Sequence, residues 1–133
     1  MKRDMELIRE IMLKLEAWPM EMGDALSMTP EAMQTEIPAR DLAEINHHMD
    51  LIRSAGFIDT GGPGSSGPMF GFLFMGLSMS GHDFLDSVRS PEVWRRTKAG
   101  AEKVGGAGLS VIAEMAKAYG KQVITEKLGI SLG

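Results

Sequence analysis

The 133-residue sequence predicts a mainly helical fold with one small β-hairpin, in the α+β class. Apolar residues recur every three or four positions in several stretches, which is typical of helices with one buried face. Two hydroxyl residues followed by proline mark helix starts. A glycine-rich segment between two short apolar runs predicts the hairpin. The length fits a single domain, residues 1–133.

Three helices are predicted in the first part of the chain. Residues 4–17 form an amphipathic pattern that Trp18-Pro19 ends, because proline disfavours helix at the residue before it. Thr29-Pro30-Glu31 is typical of an N-cap with proline at the first helical position, and predicts a short helix or a turn. A longer helix is predicted over residues 38–54. Its buried face is predicted to carry Leu42, Ile45, Met49 and Ile52.

The hairpin is predicted from Phe57-Ile58-Asp59, a turn over residues 61–68, and a second strand over residues 69–77. Phenylalanines alternate with other apolar residues along the second strand, so both of its faces are apolar. A large exposed apolar face usually marks an interface, which favours a homodimer formed through this strand or the last helix. The candidate interface residues are Phe70, Phe72, Phe74, Tyr119 and Val123.

Further helices are predicted after the hairpin. Ser80-Gly81-His82-Asp83 is similar to a capping box and predicts a helix over residues 82–89. Ser90-Pro91-Glu92 repeats the cap-and-proline signal and predicts a second one. The last helix is predicted from Leu109 to about Leu128. Its buried stripe is predicted to carry Leu109, Ile112, Ala116, Tyr119 and Val123.

The order of these elements predicts a winged helix-turn-helix with a C-terminal helical extension. Residues 1–79 would form the winged-helix core with the hairpin as its wing, and residues 80–133 the C-terminal helices.

Three stretches of the sequence carry a family resemblance. They are residues 1–9, residues 45–58, and Ser80-Gly81-His82-Asp83-Phe84-Leu85-Asp86 followed by Val93-Trp94-Arg95-Arg96-Thr97-Lys98. Together they resemble an uncharacterised family, domain of unknown function 2513, and the last stretch is the most specific. The resemblance implies a winged-helix-like protein of bacterial chromosomes, prophages and phages, with no assigned catalytic activity.

Composition excludes several classes of protein. The chain has no cysteine, which excludes thiolate zinc sites, cysteine nucleophiles and disulfides. The longest apolar run, residues 69–77, is too short to span a membrane, and the N-terminus lacks the apolar stretch of a signal peptide. We therefore expect a cytoplasmic protein without a membrane segment.

The motifs that suggest chemistry are weak. Residues 62–67 match a dinucleotide fingerprint, but Pro68 and a strand follow instead of a helix, so the match indicates a hairpin turn. Histidine and carboxylate side chains are good metal ligands, yet the adjacent His47 and His48 would diverge by about 100° on a helix. His82 and Asp83 already have a structural use at a predicted helix start. We predict no enzyme, with no catalytic, cofactor-binding or metal-binding residue.

Charge argues against a nucleic-acid partner. Fourteen Lys and Arg against eighteen Asp and Glu give a net charge of −4, the opposite of a nonspecific nucleic-acid binder. Between Arg53 and Arg89 there is no lysine or arginine, so the predicted wing offers no phosphate contacts. If residues 38–54 were a recognition helix, Arg40, Glu44 and His47 would face the groove.

Two functions stay open. The preferred one is a non-enzymatic protein that binds another protein through an apolar and acidic surface; with the phage association that the resemblance implies, it extends to an inhibitor of host defence such as an anti-CRISPR. The alternative is a dimeric, sequence-specific DNA-binding transcription regulator with two copies of residues 38–54 in successive major grooves. The candidate contacts are Lys2, Arg3, Arg40, Glu44 and His47.

Overall fold

The fold, given by a computed structural model that describes residues 1–62, 70–105 and 108–129, is mainly helical with a small antiparallel sheet. This confirms the predicted α+β class. The chain divides into two compact units, Met1–His82 and Asp83–Gly133. The elements are α1 (Met5–Ala17), β1 (Leu26–Met28), α2 (Pro30–Glu36), α3 (Leu42–Ser54), β2 (Phe72–Phe74), α4 (Met79–Val88), α5 (Pro91–Lys103) and α6 (Leu109–Leu128).

Side-chain caps begin most of the helices, as the sequence predicts. The Thr29 hydroxyl accepts a hydrogen bond from the amide of Ala32, and the Ser90 hydroxyl accepts one from the amide of Val93. Each cap satisfies an amide that has no partner within its own helix. The predicted α2 and α5 are thereby confirmed.

Helix α3 begins at Leu42, so the prediction of a start at Pro38 was wrong. The carboxylate of Asp41 accepts a hydrogen bond from the amide of Glu44 at 2.8 Å, and this cap fixes the first turn. Leu42 is 38% exposed, whereas its prediction placed it in the core. His48 is buried in its stead. The buried face of α3 therefore carries Ile45, His48, Met49 and Ile52.

The sheet contains a strand, β1, that the sequence did not predict. It pairs antiparallel with β2, Leu26 opposite Phe74 and Met28 opposite Phe72. The predicted second strand was too long, since Gly71 and Gly76 adopt positive φ angles on either side of β2 and interrupt the extended backbone. Residues 63–69, which include most of the predicted turn, lie outside the described residues.

The predicted partner of the second strand pairs with it through one bridge. Ile58 lies opposite Leu77. Next to this bridge, the amide of Asp59 donates to the carbonyl of Gly76 at 2.8 Å and the amide of Met75 donates to the carbonyl of Asp59 at 2.9 Å. Residues 72–74 therefore pair with β1, and the residues that follow them pair with the Phe57–Asp59 segment.

Helix α4 begins at Met79, three residues earlier than predicted, and its capping residue is Ser78 rather than Ser80. The Ser78 hydroxyl accepts from the amide of Gly81 and donates to the carbonyl of Gly56. Ser80 lies inside the helix and donates to the same Gly56 carbonyl. A Cβ at Gly81 would lie 2.0 Å from the carbonyl oxygen of Phe57, so this close approach requires glycine.

In the unit Asp83–Gly133, α5 packs against α6. Ile112, Ala116 and Val123 are buried as predicted, whereas Leu109 and Tyr119 are half-buried. The two helices approach closely at Gly100, where a Cβ would lie 2.6 Å from both Met115 Cε and the Tyr119 hydroxyl. Exposed ion pairs flank this contact. They join Arg96 to Glu126 at 2.9 Å, Arg96 to Glu92 at 3.1 Å, and Lys127 to Glu92 at 3.1 Å.

Candidate functional site

Four of the predicted contact residues lie together at the N-terminal ends of α1 and α3. A guanidinium nitrogen of Arg40 lies 2.8 Å from a carboxylate oxygen of Asp4 and 3.2 Å from one of Glu44. Lys2 and Arg3 immediately precede Asp4 and are exposed. The structure therefore brings Lys2, Arg3, Arg40 and Glu44 to one surface, although Arg40 is already bound there.

Asp4 is held ionised by its surroundings. Partial burial raises its pKa, but the hydrogen bond from Arg40, the backbone amide of Leu7, the charge of Arg40 and the amide of Glu6 together outweigh burial, and the pKa lies below its ordinary value. The hydrogen bond to Asp4 in turn raises the pKa of Arg40. The pair is therefore fully charged near neutral pH, and the guanidinium can leave only by breaking it.

His48 is a member of this cluster that the sequence analysis placed only among weak metal ligands. Its side chain is 1% exposed, and its Nε2 accepts a hydrogen bond from the backbone amide of Asp4 at 2.8 Å. Its Nδ1 lies 2.7 Å from the carbonyl oxygen of Glu44. An amide can only donate and a carbonyl can only accept, so the ring is neutral with its proton on Nδ1. It joins the start of α1 to α3.

A sequence signal for His48 was present. It follows Ile45 by three positions and precedes Ile52 by four, which places it on the buried stripe. His47, a predicted contact residue, is half-buried, and its ring lies edge-on to His48 with centroids 5.2 Å apart.

The outward face of α3 carries little positive charge. Arg53 forms an ion pair with Asp50 on the same helix. Across α3, the preceding turn and Asp4 there are two arginines and four carboxylates, a net charge of −2. Adding the nearby Lys2 and Arg3 makes the surface neutral rather than basic. The carboxylates are those of Asp4, Asp41, Glu44 and Asp50.

A second feature of the same unit is a groove of about 430 Å³, here called the methionine groove. It lies between the end of α1 with the following loop and the end of β2. Its lining is Leu15, Glu16, Trp18, Met20, Glu21, Met22, Gly23, Phe74, Met75, Gly76, Leu77 and His82. Its charged side chains at neutral pH include two glutamates and, among the lining residues described, no lysine or arginine.

A groove of about 640 Å³ lies in the other unit, among α4, α5 and α6. Its rim includes Asp86 and Glu114 together with Lys117 and Lys121. Because both signs of charge are present, this groove favours no particular charge in a ligand.

The predicted interface residues are distributed over both units. Phe72 and Phe74 are buried at 3% and 1% exposure in the core around β2, whereas Phe70 is 58% exposed. Tyr119 is half-buried and Val123 buried on α6. Phe72, Phe74 and Val123 thus have almost no exposed area to offer a second subunit. Dimerisation stays a prediction.

The candidate metal ligands do not form a cluster. Across residues 1–62, 70–105 and 108–129, no three histidine or carboxylate side chains are grouped so that they could hold an ion. In the same ranges no helix has both the length and the apolar character needed to cross a bilayer. The absence of an enzymatic activity stays a prediction.

The stretch with the most specific family resemblance is largely structural. Gly81 lies against the Phe57 carbonyl, and Trp94 and Thr97 are buried in α5. The Thr97 hydroxyl donates to the carbonyl of Val93 at 2.7 Å. The resemblance therefore reflects how the chain folds more than which molecule it binds.

Comparison with known proteins supports this resemblance. The family model described as "Hypothetical protein (DUF2513)" matches residues 2–108. A protein of Haemophilus influenzae described as "Uncharacterized protein" is 33% identical over 98 residues, which are 74% of this chain and 76% of that protein. No solved structure matches significantly. Since the family model covers most of the chain, the protein belongs to the DUF2513 family.

Proposed function

We propose that the chain is a non-enzymatic winged-helix protein that binds another protein. The order α1, β1, α2, α3 and then β2 supports the winged-helix part of the proposal. So does the pairing of β2 with β1 and of Leu77 with Ile58, which sets a small sheet beside three helices. In such a fold α3 is the helix that would enter a DNA groove.

The protein-binding part of the proposal rests on the ion pairs that Arg40 forms. Arg40 is the cation just before the N-terminal end of α3, and it is bound by both Asp4 and Glu44. Moving it to a phosphate would leave these two carboxylates close to a polyanion. Affinity for DNA comes largely from Lys and Arg that neutralise phosphates, so a neutral to acidic α3 surface favours a protein partner.

One observation favours DNA as the second candidate. Lys2 and Arg3 lie beside the N-terminal end of α3 and are exposed, so they could contact phosphates while Asn46 and His47 met base edges. A dimer would then contact a palindromic site.

A DNA retention experiment separates the two candidates. The purified protein is mixed with pooled genomic fragments at about 50 mM and about 200 mM salt, with its mass in solution measured on the same sample. We expect no selective retention at either concentration. In parallel, cross-linking capture from an extract of the encoding organism should yield a protein partner.

Two matched variants identify the responsible surface. Arg40→Ala removes the arginine bound to Asp4 and Glu44, and Arg53→Ala removes one that pairs with Asp50 on its own helix. Selective retention of a few fragments that weakens with Arg40→Ala, but not with Arg53→Ala, would establish a DNA-binding regulator and overturn the proposal.

A further inference from the structure

The methionine groove has a shaped and largely apolar surface. Trp18, Met20 and Met75 line it above the buried Leu15 and Phe74. The loop on one side is held by two hydrogen bonds. The amide of Glu21 donates to the carboxylate of Asp24 at 2.8 Å, and the amide of Asp24 donates to the carbonyl of Glu21 at 3.0 Å. This side of the groove therefore has a defined loop conformation.

The rim of the groove suits a chain segment better than a small molecule. Met22 is fully exposed, and Met75 is 39% exposed. Small ligands are usually enclosed over most of their surface, which a rim standing in water does not provide. Methionine side chains are flexible and polarisable, so they adapt to the apolar face of a docked helix.

The charge of the groove selects the sign of the partner. Glu16 and Glu21 line it without a lysine or arginine among the described lining residues, and Asp24 adjoins them in the loop. The whole chain carries a net charge of −4, which attracts cations from a distance. A second copy of the chain would bring that same negative charge, so a foreign cationic partner is favoured over self-association.

We propose that the methionine groove binds an amphipathic helix, rich in lysine or arginine, of a partner protein. Its apolar face would pack on Trp18 and the methionines, and its cations would meet Glu21. This inference rests on the proposed function and adds to it a docking site and a partner chemistry.

Tryptophan fluorescence provides a direct test on the whole protein. The probe is a synthetic amphipathic helix built only from leucine and lysine, and its control is the same pattern built from leucine and glutamate. We expect the lysine peptide to change the fluorescence of the wild-type protein. The glutamate peptide should leave it unchanged, and Trp18→Phe should abolish the response.

Substitutions inside and outside the groove distinguish binding at this site from nonspecific attraction between opposite charges. Glu21→Lys should weaken binding of the lysine peptide at least tenfold. Glu36→Lys, the same charge change at an exposed residue of α2 outside the groove lining, should leave it within about twofold. Met75→Gln should also weaken binding several-fold, since it removes apolar contact without changing charge. Circular dichroism checks that each variant is folded.

Three results would overturn the inference. The first is that Glu21→Lys and Glu36→Lys weaken binding of the lysine peptide equally, and the second is that both peptides bind equally well. The third is a mass in solution that doubles as the protein concentration rises, but not when Glu21 is replaced. That result would assign the groove to a second copy of the chain. If the captured partner is retained by Glu21→Lys, the groove inference fails while the proposed function stands. Selective DNA retention without a partner removes the proposed function itself.

Discussion

The unit Met1–His82 and the α5–α6 pair of the unit Asp83–Gly133 are held together in different ways. Of the twelve largest fully buried side chains in the part of the chain that the structure describes, the first contains eleven, among them Leu7, Ile45 and Phe74. The contact of α5 with α6 relies on small residues, Gly100 and Ala116, and on exposed ion pairs. Apolar burial does not depend on charge and is not weakened by screening, whereas exposed ion pairs are screened by salt. We therefore expect α6 to open before the first unit unfolds.

The comparison also separates folding from binding. The network of Asp4, Arg40 and the buried His48 joins α1 to α3, and Arg40 is held in it by two carboxylates. The exposed methionines of the groove contribute less to the core of the same unit. Changes in the network should therefore alter stability, and changes in the groove should alter binding.

The largest effect is expected from truncation in the first core. Ile45 is fully buried in α3, so Ile45→Ala should lower the free energy of unfolding by about 2–5 kcal/mol. Ile124→Ala, the same change at a residue of α6 that is 40% exposed, should cost only about 0.5 kcal/mol. Denaturant unfolding followed by circular dichroism measures both. Equal losses would contradict the assignment of the core to the first unit.

Substitution of two glycines by alanine should change the stability of the fold in opposite directions. At Gly81 an added Cβ would meet the Phe57 carbonyl oxygen at 2.0 Å, and backbone cannot move away cheaply, so Gly81→Ala should cost about 3 kcal/mol. At Gly120, inside α6, no atom of the described residues outside the adjoining helix backbone lies within 4 Å of the added Cβ, so Gly120→Ala should stabilise by about 0.5–1 kcal/mol. Thermal unfolding of the two variants should move in opposite directions. A neutral Gly81→Ala would show that the junction of α4 with Phe57 is looser than described.

Helices whose starts or buried faces depend on residues close in sequence were predicted correctly. Thr29-Pro30 and Ser90-Pro91 set α2 and α5, and the stripe of α6 was correct at its three buried positions. Elements that depend on distant partners were missed. Strand β1 is only three residues long and lacks β-branched residues, and it is defined by pairing with β2.

Competing local signals explain the displaced helix starts. Pro38 suggested a first helical position, but Asp41 supplies the cap; likewise Ser80 suggested a cap that Ser78 provides. The residues of the candidate site were predicted from the sequence, but the ion pairs that hold Arg40 were not. Nothing near Arg40 in sequence indicated that Asp4 would bind it, because that contact requires α1 and α3 to be packed together.

Loss of the buried histidine should cost less than loss of the core. His48→Leu removes the acceptor of the Asp4 amide and leaves that amide unsatisfied, which should cost about 1–3 kcal/mol. His47→Leu, at the half-buried neighbour, should have a smaller effect. Hydrogen exchange at the amide of Asp4 provides the specific readout, since only His48→Leu should accelerate it strongly. Equal acceleration in both variants would contradict the hydrogen bond.

Acid should weaken the contact between α1 and α3 by protonating Asp4. Its pKa is lower in the folded chain than in the unfolded chain, so the ionised carboxylate stabilises the fold above the unfolded pKa, and this contribution is lost as the pH falls through the folded value. Asp4→Asn should therefore lower stability at neutral pH and flatten its decline in acid. Unfolding measured from neutral pH downward tests this, with Asp50→Asn as the control on an exposed pair. Parallel acid profiles for Asp4→Asn and the wild type would exclude the effect.

The smallest expected effect concerns the ion pairs between α5 and α6. The hydrogen bond and charge of Lys127, with the charges of Arg96 and Arg95, outweigh the opposing effect of burial and lower the pKa of Glu92, so its stabilising contribution is lost as the pH falls through the folded pKa. Salt should weaken these exposed pairs as well, so hydrogen exchange in α6 should accelerate in about 1 M salt while exchange in α1 does not.

Arg96→Met should reproduce the acceleration at low salt, because Arg96 pairs with both Glu92 and Glu126. Lys121→Met, at an exposed lysine on the groove side of α6, is the control. If α6 exchanges as slowly as α1 under all of these conditions, the packing around Gly100 alone holds the two helices together, and the contrast between the two regions disappears.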